Sequence, residues 1–159
     1  MLLHLGSLYS LALRLTGNGA DAADLVQDSS LRAFERFDQL RQHGAAKAWL
    51  ARILISTYLN RYAKPSVWAD LTAAEEPLAE ETPETALLTR ARAEEVEAAL
   101  AGLPEAFRIV VVLADVEEIP LREIAEDLGC PIGTVASRLA RGRGMLRRRL
   151  AHLRTSREA

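Results

Sequence analysis

LREIAEDLGCPIGTVASRL, residues 121–139, decides the fold. Leu121–Leu128 has helical apolar spacing, Gly129 offers the left-handed residue that ends a helix, and Pro131 can start the next one. Ala125 is small where two crossing helices must approach, and Val135 sets a branched apolar group against the first helix. The spacing predicts a helix-turn-helix. An ordinary helical hairpin would share it, and the distribution of charge separates the two.

On the second helix Val135, Leu139, Gly142, Leu146 and Leu150 step by four, three, four and four residues and form a buried stripe. The opposite face is then expected to present Thr134, Ser137, Arg138 and Arg141, with Arg147–Arg149 extending the charge. Residues 132–157 hold eight arginines and no acid. A solvated helix face would also carry such a run. At the end of a helix-turn-helix, however, hydroxyl and guanidinium groups on one face match base edges and phosphates. The planar fork of arginine meets guanine O6 and N7, or a phosphate, with two hydrogen bonds. Gly142 and Gly144 each cost about 1 kcal/mol against alanine, marking a place for a kink or fraying.

Upstream, charge is uneven although the chain's net charge is only −2. Residues 1–64 carry eight Lys/Arg against five Asp/Glu, residues 65–103 two against nine, and residues 104–131 two against seven. A 49% hydrophobic content with 5% aromatics predicts an aliphatic core on helices. The single cysteine, Cys130, excludes an internal disulfide and a cysteine zinc cluster, and reads as a small turn residue. His4, His43 and His152 lack metal-ligand spacing, so no metal or cofactor is expected. No apolar run approaches a signal peptide or membrane span, which predicts a cytoplasmic protein without membrane partners.

Three helices are expected in the first block. Leu5, Leu8, Ala12 and Leu15 define the first, closed by Gly17-Asn18-Gly19. Asp21 is read as the N-cap of the second, with Ala22, Val26, Ala33, Phe37 and Leu40 on one face and an end near Gly44. The third, about Ala46–Lys64, is expected to bury Trp49, Leu50, Ile53 and Leu54, and Pro65 closes it. Residues 65–82 read as an acidic tether. Thr82-Pro83-Glu84 opens a helix ending before Gly102, and Leu103-Pro104-Glu105 opens another with Phe107, Val110, Val111 and Ala114 on its apolar side.

Taken together the blocks predict an all-α protein of two small helical domains, residues 1–64 and 83–155, joined by an acidic linker, 65–82. LALRLTGNGADAADLVQDSSLRAFERF resembles the polymerase-binding part of the sigma-two domain of extracytoplasmic-function (ECF) sigma factors. AWLARILISTYLNRY resembles their promoter-melting helix, and LPEAFRIVVVLADVEEIPLREIAEDLGCPIGTVASRLARGR their sigma-four domain. The resemblance covers nearly the whole chain.

It implies an RNA polymerase sigma factor of the sigma-70 family, with core polymerase and promoter DNA as partners. Asp24, Gln27 and Asp28 of DLVQD are implied to contact the clamp helices of the largest polymerase subunit. The three share a helix face, although acids near a helix N-terminus are also favourable by themselves. Trp49, Arg52, Ser56 and Asn60 are implied to serve the minus-ten element, beside a base-capturing loop at Leu40–Gly44. Thr134, Ser137, Arg138, Arg141 and Arg143 are implied to serve the minus-thirty-five element.

The chain departs from the common pattern at Ser56, where Asn is usual, at Ala51, where an aromatic is usual, and at Asp28–Ser30. Its C-terminal half is especially similar to the subgroup held inactive by zinc-containing, thiol-sensing anti-sigma factors, which implies that the zinc and reactive thiols belong to the partner. The linker is compatible with nucleic-acid mimicry in the polymerase RNA channel, or with a plain solvated tether. A stand-alone helix-turn-helix regulator is the alternative, which DLVQD and the Trp49 helix disfavour. A helical-bundle enzyme would need clustered carboxylates or histidines, and none is visible.

Overall fold

The computed structural model describes residues 4–40, 46–61 and 93–158, which are helical or loop with no strand among them. Seven α-helices are described: α1 Leu5–Thr16, α2 Gly19–Glu35, α3 Ala46–Arg61, α4 Ala93–Ala101, α5 Glu105–Val111, α6 Leu121–Leu128 and α7 Ile132–Glu158. A 3₁₀ turn, Phe37–Gln39, follows α2, and a π turn, Val112–Val116, prolongs α5. Packing divides the chain into two compact units, Met1–Val67 and Trp68–Ala159. The expected linker and the helix start at Thr82-Pro83-Glu84 lie outside the described residues, as do positions 41–44 of the expected base-capturing loop.

In the first unit α1, α2 and α3 pack against one another. Leu8, Leu11, Ala12 and Leu15 of α1 meet Ala22, Leu25 and Ala33 of α2 and Leu50, Leu54 and Tyr58 of α3 in a buried aliphatic core. Two hydroxyls enter it without loss of hydrogen bonding. Ser29 Oγ donates to Leu25 O at 2.6 Å, and Thr57 Oγ1 to Ile53 O at 2.7 Å, so each polar group is satisfied one turn back on its own helix.

The α1–α2 corner differs from the sequence expectation. Gly17, at φ 77°, closes α1, but Asn18 rather than Asp21 caps α2. Asn18 Oδ1 accepts from the Asp21 N–H at 2.9 Å, while its Nδ2 donates to Asp21 Oδ2 at 2.7 Å. Asp21 therefore completes a reciprocal cap from inside the first turn. At the other end α2 stops at Glu35, well short of Gly44, and Phe37 falls on the 3₁₀ turn with its ring 57% exposed, not on the buried face. Trp49 is half-buried rather than buried.

In the second unit α4, α5 and α6 each pack on α7. Helix α5 is buried on every side, from Ala106 to Val111, which makes it the centre of the unit. Its buried Arg108 donates through Nη1 to Leu103 O at 3.1 Å. The close approach of α5 to α7 depends on Gly142: a Cβ there would lie 2.6 Å from Val111 Cγ2 and 3.3 Å from Phe107 O. Helix α7 runs continuously through Gly142 and Gly144. Packing against α5 and α6 supplies what these residues lack in helix propensity.

Candidate nucleic-acid interface

The helix-turn-helix is formed by α6, Gly129 at φ 62° and α7. The Gly129 N–H donates to Glu126 O at 3.2 Å and the Cys130 N–H to Ala125 O at 3.1 Å, satisfying the last carbonyls of α6. Pro131 O accepts from Thr134 and Val135, so α7 starts where the proline fixes the backbone. Val135, Leu139, Gly142, Leu146 and Leu150 are all buried, which orients the whole helix.

With about 100° per residue, the side of α7 opposite this stripe carries Gly133, Ser137, Arg141, Gly144 and Arg148, with Thr134 and Ala140 at its edges. Ser137 and Arg141 are half-buried, and Ser137 Oγ donates to Thr134 O at 3.3 Å. Arg138, expected on this side, and Arg143, implied to serve the minus-thirty-five element, both lie on the flanks. Arg138 is only 6% exposed, because its position falls on the flank that curves back into the domain. Arg143, on the other flank, makes a two-pronged ion pair: Nε donates to Asp115 Oδ2 at 2.9 Å and Nη2 to Asp115 Oδ1 at 2.7 Å. The terminal run also divides. Arg149 lies over Gly102, where an added Cβ would come within 2.7 Å of its Cζ.

The sequence reading overlooked Gly133, Ala136 and Ala140, and weighed Gly144 only for its helix propensity. These set small residues between Ser137, Arg141 and Arg148 on the side of α7 away from its stripe. Helical phase carried that signal, since the buried stripe alone places them.

In the first unit Asp24 and Gln27 are exposed on the side of α2 facing away from its core, while Asp28 is half-buried and ion-paired with Arg61 of α3. The same side carries Leu31, 61% exposed, and Phe34, 78% exposed. Neither was singled out in the sequence, where apolar residues on a helix suggest a core. On α3, Arg52, Ser56 and Asn60 form an exposed row four residues apart, with half-buried Trp49 beside its start; Asn60 Nδ2 donates to Ser56 Oγ at 3.4 Å. No helix among the described residues is long and apolar enough to cross a membrane. Nor do the described residues bring three His, Cys, Asp or Glu side chains together as a metal site would.

Two family models match the chain: Sigma-70 region 2 over residues 2–66 and Sigma-70, region 4 over residues 93–146. The chain is 38% identical over 157 residues to the ECF RNA polymerase sigma factor SigE of Mycolicibacterium smegmatis, a match covering 93% of this chain and 59% of that protein. It is 31% identical over 157 residues to the ECF RNA polymerase sigma factor SigW of Bacillus subtilis, covering 92% of this chain and 84% of that one. Among solved structures it is similar to the sigma factor RpoE of Bartonella quintana, in complex with the anti-sigma factor NepR. That likeness has a TM-score of 0.61 and 27% identity, over 94% of this chain and 93% of the other.

Proposed function

Because the chain belongs to the sigma-70 family of RNA polymerase sigma factors, in its ECF branch, we propose that it directs core polymerase to a signal-dependent promoter set. In this reading the first unit binds core polymerase and opens the minus-ten element, and α7 reads the minus-thirty-five element. The protein carries out no bond chemistry itself and works in the cytoplasm. Residues 1–64 serve as the sigma-two domain, 65–82 as the acidic tether and 83–155 as the sigma-four domain.

The observation that carries this reading is that each of the two units turns a chemically different face away from its core. The α7 face, with Ser137, Arg141 and Thr134, suits DNA: a hydroxyl and an arginine fork above a small-residue surface. The α2 face suits protein: acid and amide groups at Asp24, Gln27 and Asp28 run into the exposed Leu31 and Phe34. A stand-alone regulator would have no use for the second face. On α3, the Arg52, Ser56 and Asn60 row beside Trp49 is assigned to the minus-ten element. Cationic, hydroxyl and amide groups there face outward at one-turn spacing, beside an aromatic able to stack on a base.

Control by an anti-sigma factor is part of the proposal, since the Bartonella relative is solved with one. The C-terminal resemblance further favours a zinc-containing, thiol-sensing partner that brings its own metal. Run-off transcription on fragmented genomic DNA, with core polymerase with and without the chain, tests the function. Discrete start sites that need the chain are expected. Their absence alongside retained DNA binding would favour a stand-alone regulator.

A further inference from the structure

Asp115 and Arg143 are 28 residues apart in sequence and meet through two parallel hydrogen bonds of 2.9 and 2.7 Å. A forked arginine–carboxylate pair fixes direction as well as distance, because both planes must align. It joins two elements whose relation sets the DNA-reading face. Arg143 stands on α7 one turn beyond Leu139. Asp115 stands on the π turn, whose wider winding displaces the end of α5: the Glu117 N–H donates to Val112 O at 3.0 Å and the Ile119 N–H reaches back to Leu113 O at 2.9 Å. Single π turns inside helices are rare and concentrate at functional sites.

The pair also borders a gap in the packing. A cleft of about 340 Å³ separates Ile119, Pro120 and Leu121 from Ala140 of α7, with Arg143 on its wall. On this flank α7 offers only Leu139 among the small Ala136 and Ala140, so the ion pair adds a directional restraint to the one that the buried stripe already supplies. Arg141 differs: it is half-buried on the side opposite the stripe, and its Nε is covered without a hydrogen-bond partner among the described residues.

We propose that Asp115 is a positioning residue for promoter recognition: by clamping Arg143 it fixes the roll of α7, so that Ser137 and Arg141 meet the minus-thirty-five bases while Arg143 reads none. This rests on the sigma-factor reading above and assigns Arg143 a different part from the one its place in the arginine run implies.

The test uses the full chain with core polymerase on promoters randomised at the minus-thirty-five element, scoring enrichment of the preferred sequence. The pair is partly exposed, at 42% for Arg143 and 27% for Asp115, so Asp115→Asn and Arg143→Gln should each lower that preference about threefold, with the double variant no worse than either single one. The exchange Asp115→Arg with Arg143→Asp should restore most of it. Arg143→Lys keeps the charge and loses the fork, so it should lose preference while melting close to the parent and keeping the same salt dependence of promoter binding.

If Asp115→Asn keeps full preference while Arg143→Gln loses it and flattens the salt dependence by about one charge, Arg143 contacts DNA directly and the proposal falls. Unchanged preference in Arg143→Lys, whatever its melting temperature, likewise overturns it. Should the parent chain start no transcripts at all with core polymerase, the sigma-factor reading itself fails, a result visible before any variant is compared.

Discussion

A Cβ on Gly142 would lie 2.6 Å from Cγ2 of Val111, a side chain only 1% exposed. Valine is stiff about χ1 and has no empty space to turn into, so the helices would have to separate. Gly142→Ala gains about 1 kcal/mol of helix propensity and meets about 1–3 kcal/mol of overpacking, with the Phe107 carbonyl adding a second obstacle. A net loss of stability is expected on thermal melting. Gly144→Ala is the control, since nothing lies within 4 Å of its Cβ. It should gain up to about 1 kcal/mol.

Glu118 holds φ 54°, a left-handed conformation, where the π turn passes into the approach to α6. A side chain with a Cβ pays about 1–2 kcal/mol there, and glycine avoids that while adding about 0.4–1 kcal/mol of unfolded-chain entropy. Glu118→Gly should therefore stabilise the protein by about 0.5–1 kcal/mol. A lowered midpoint in urea would show that the carboxylate makes a contact worth more than the strain.

What the sequence disclosed and what it hid follow one division. Helix periodicity is local, so α6, the Gly129 turn and the five-residue stripe of α7 stand in the structure where their spacing put them. Choices between neighbouring candidates were less legible: Asn18 and Asp21 are both good caps, and only the backbone shows that one caps and the other answers it. Charge misled where phase was ignored. Arg138 and Arg143 belong to the basic run but sit on the flanks of α7, and Asp115, 28 residues away, gave no local sign of pairing with Arg143. Exposed apolar groups at Leu31, Phe34 and Phe37 were hidden by the ordinary expectation that such residues face inward.

The cap at Asn18 supports α2 from both sides. Asn18→Ala removes the acceptor for the Asp21 N–H and the donor to its carboxylate, and should cost about 1 kcal/mol. Asn18→Asp keeps the acceptor but sets two carboxylates against each other. It should fall between the parent and Asn18→Ala in neutral low-salt buffer and move toward the parent as salt is added. Equal melting of all three proteins would remove the cap from the account of this corner.

Arg138 and Arg141 are three residues apart and should fail differently. Arg141 is half-buried on the side away from the stripe, so Arg141→Ala should cost less than about 1 kcal/mol of stability, weaken minus-thirty-five-dependent transcription and lower the salt dependence of promoter binding by about one charge. Arg138 is 6% exposed, and Arg138→Ala should instead cost about 1–3 kcal/mol of stability by leaving its burial site unfilled. Equal loss of stability in both variants would contradict this division of the two faces.

The polymerase face on α2 is best probed away from Asp28. Reversing that charge would also break its pair with Arg61, so a change in binding could come from α3 as readily as from the lost acid. Phe34, 78% exposed, has no such second role. Phe34→Ser removes apolar area that is already in water in the free protein, so stability should stay within about 0.5 kcal/mol of the parent. If core polymerase buries the ring, the same change should weaken association about tenfold or more, as the loss of an aromatic anchor does at protein interfaces. Competition between the variant and the parent chain for limiting core enzyme measures this directly. Equal competition would place the polymerase contact elsewhere on the first unit.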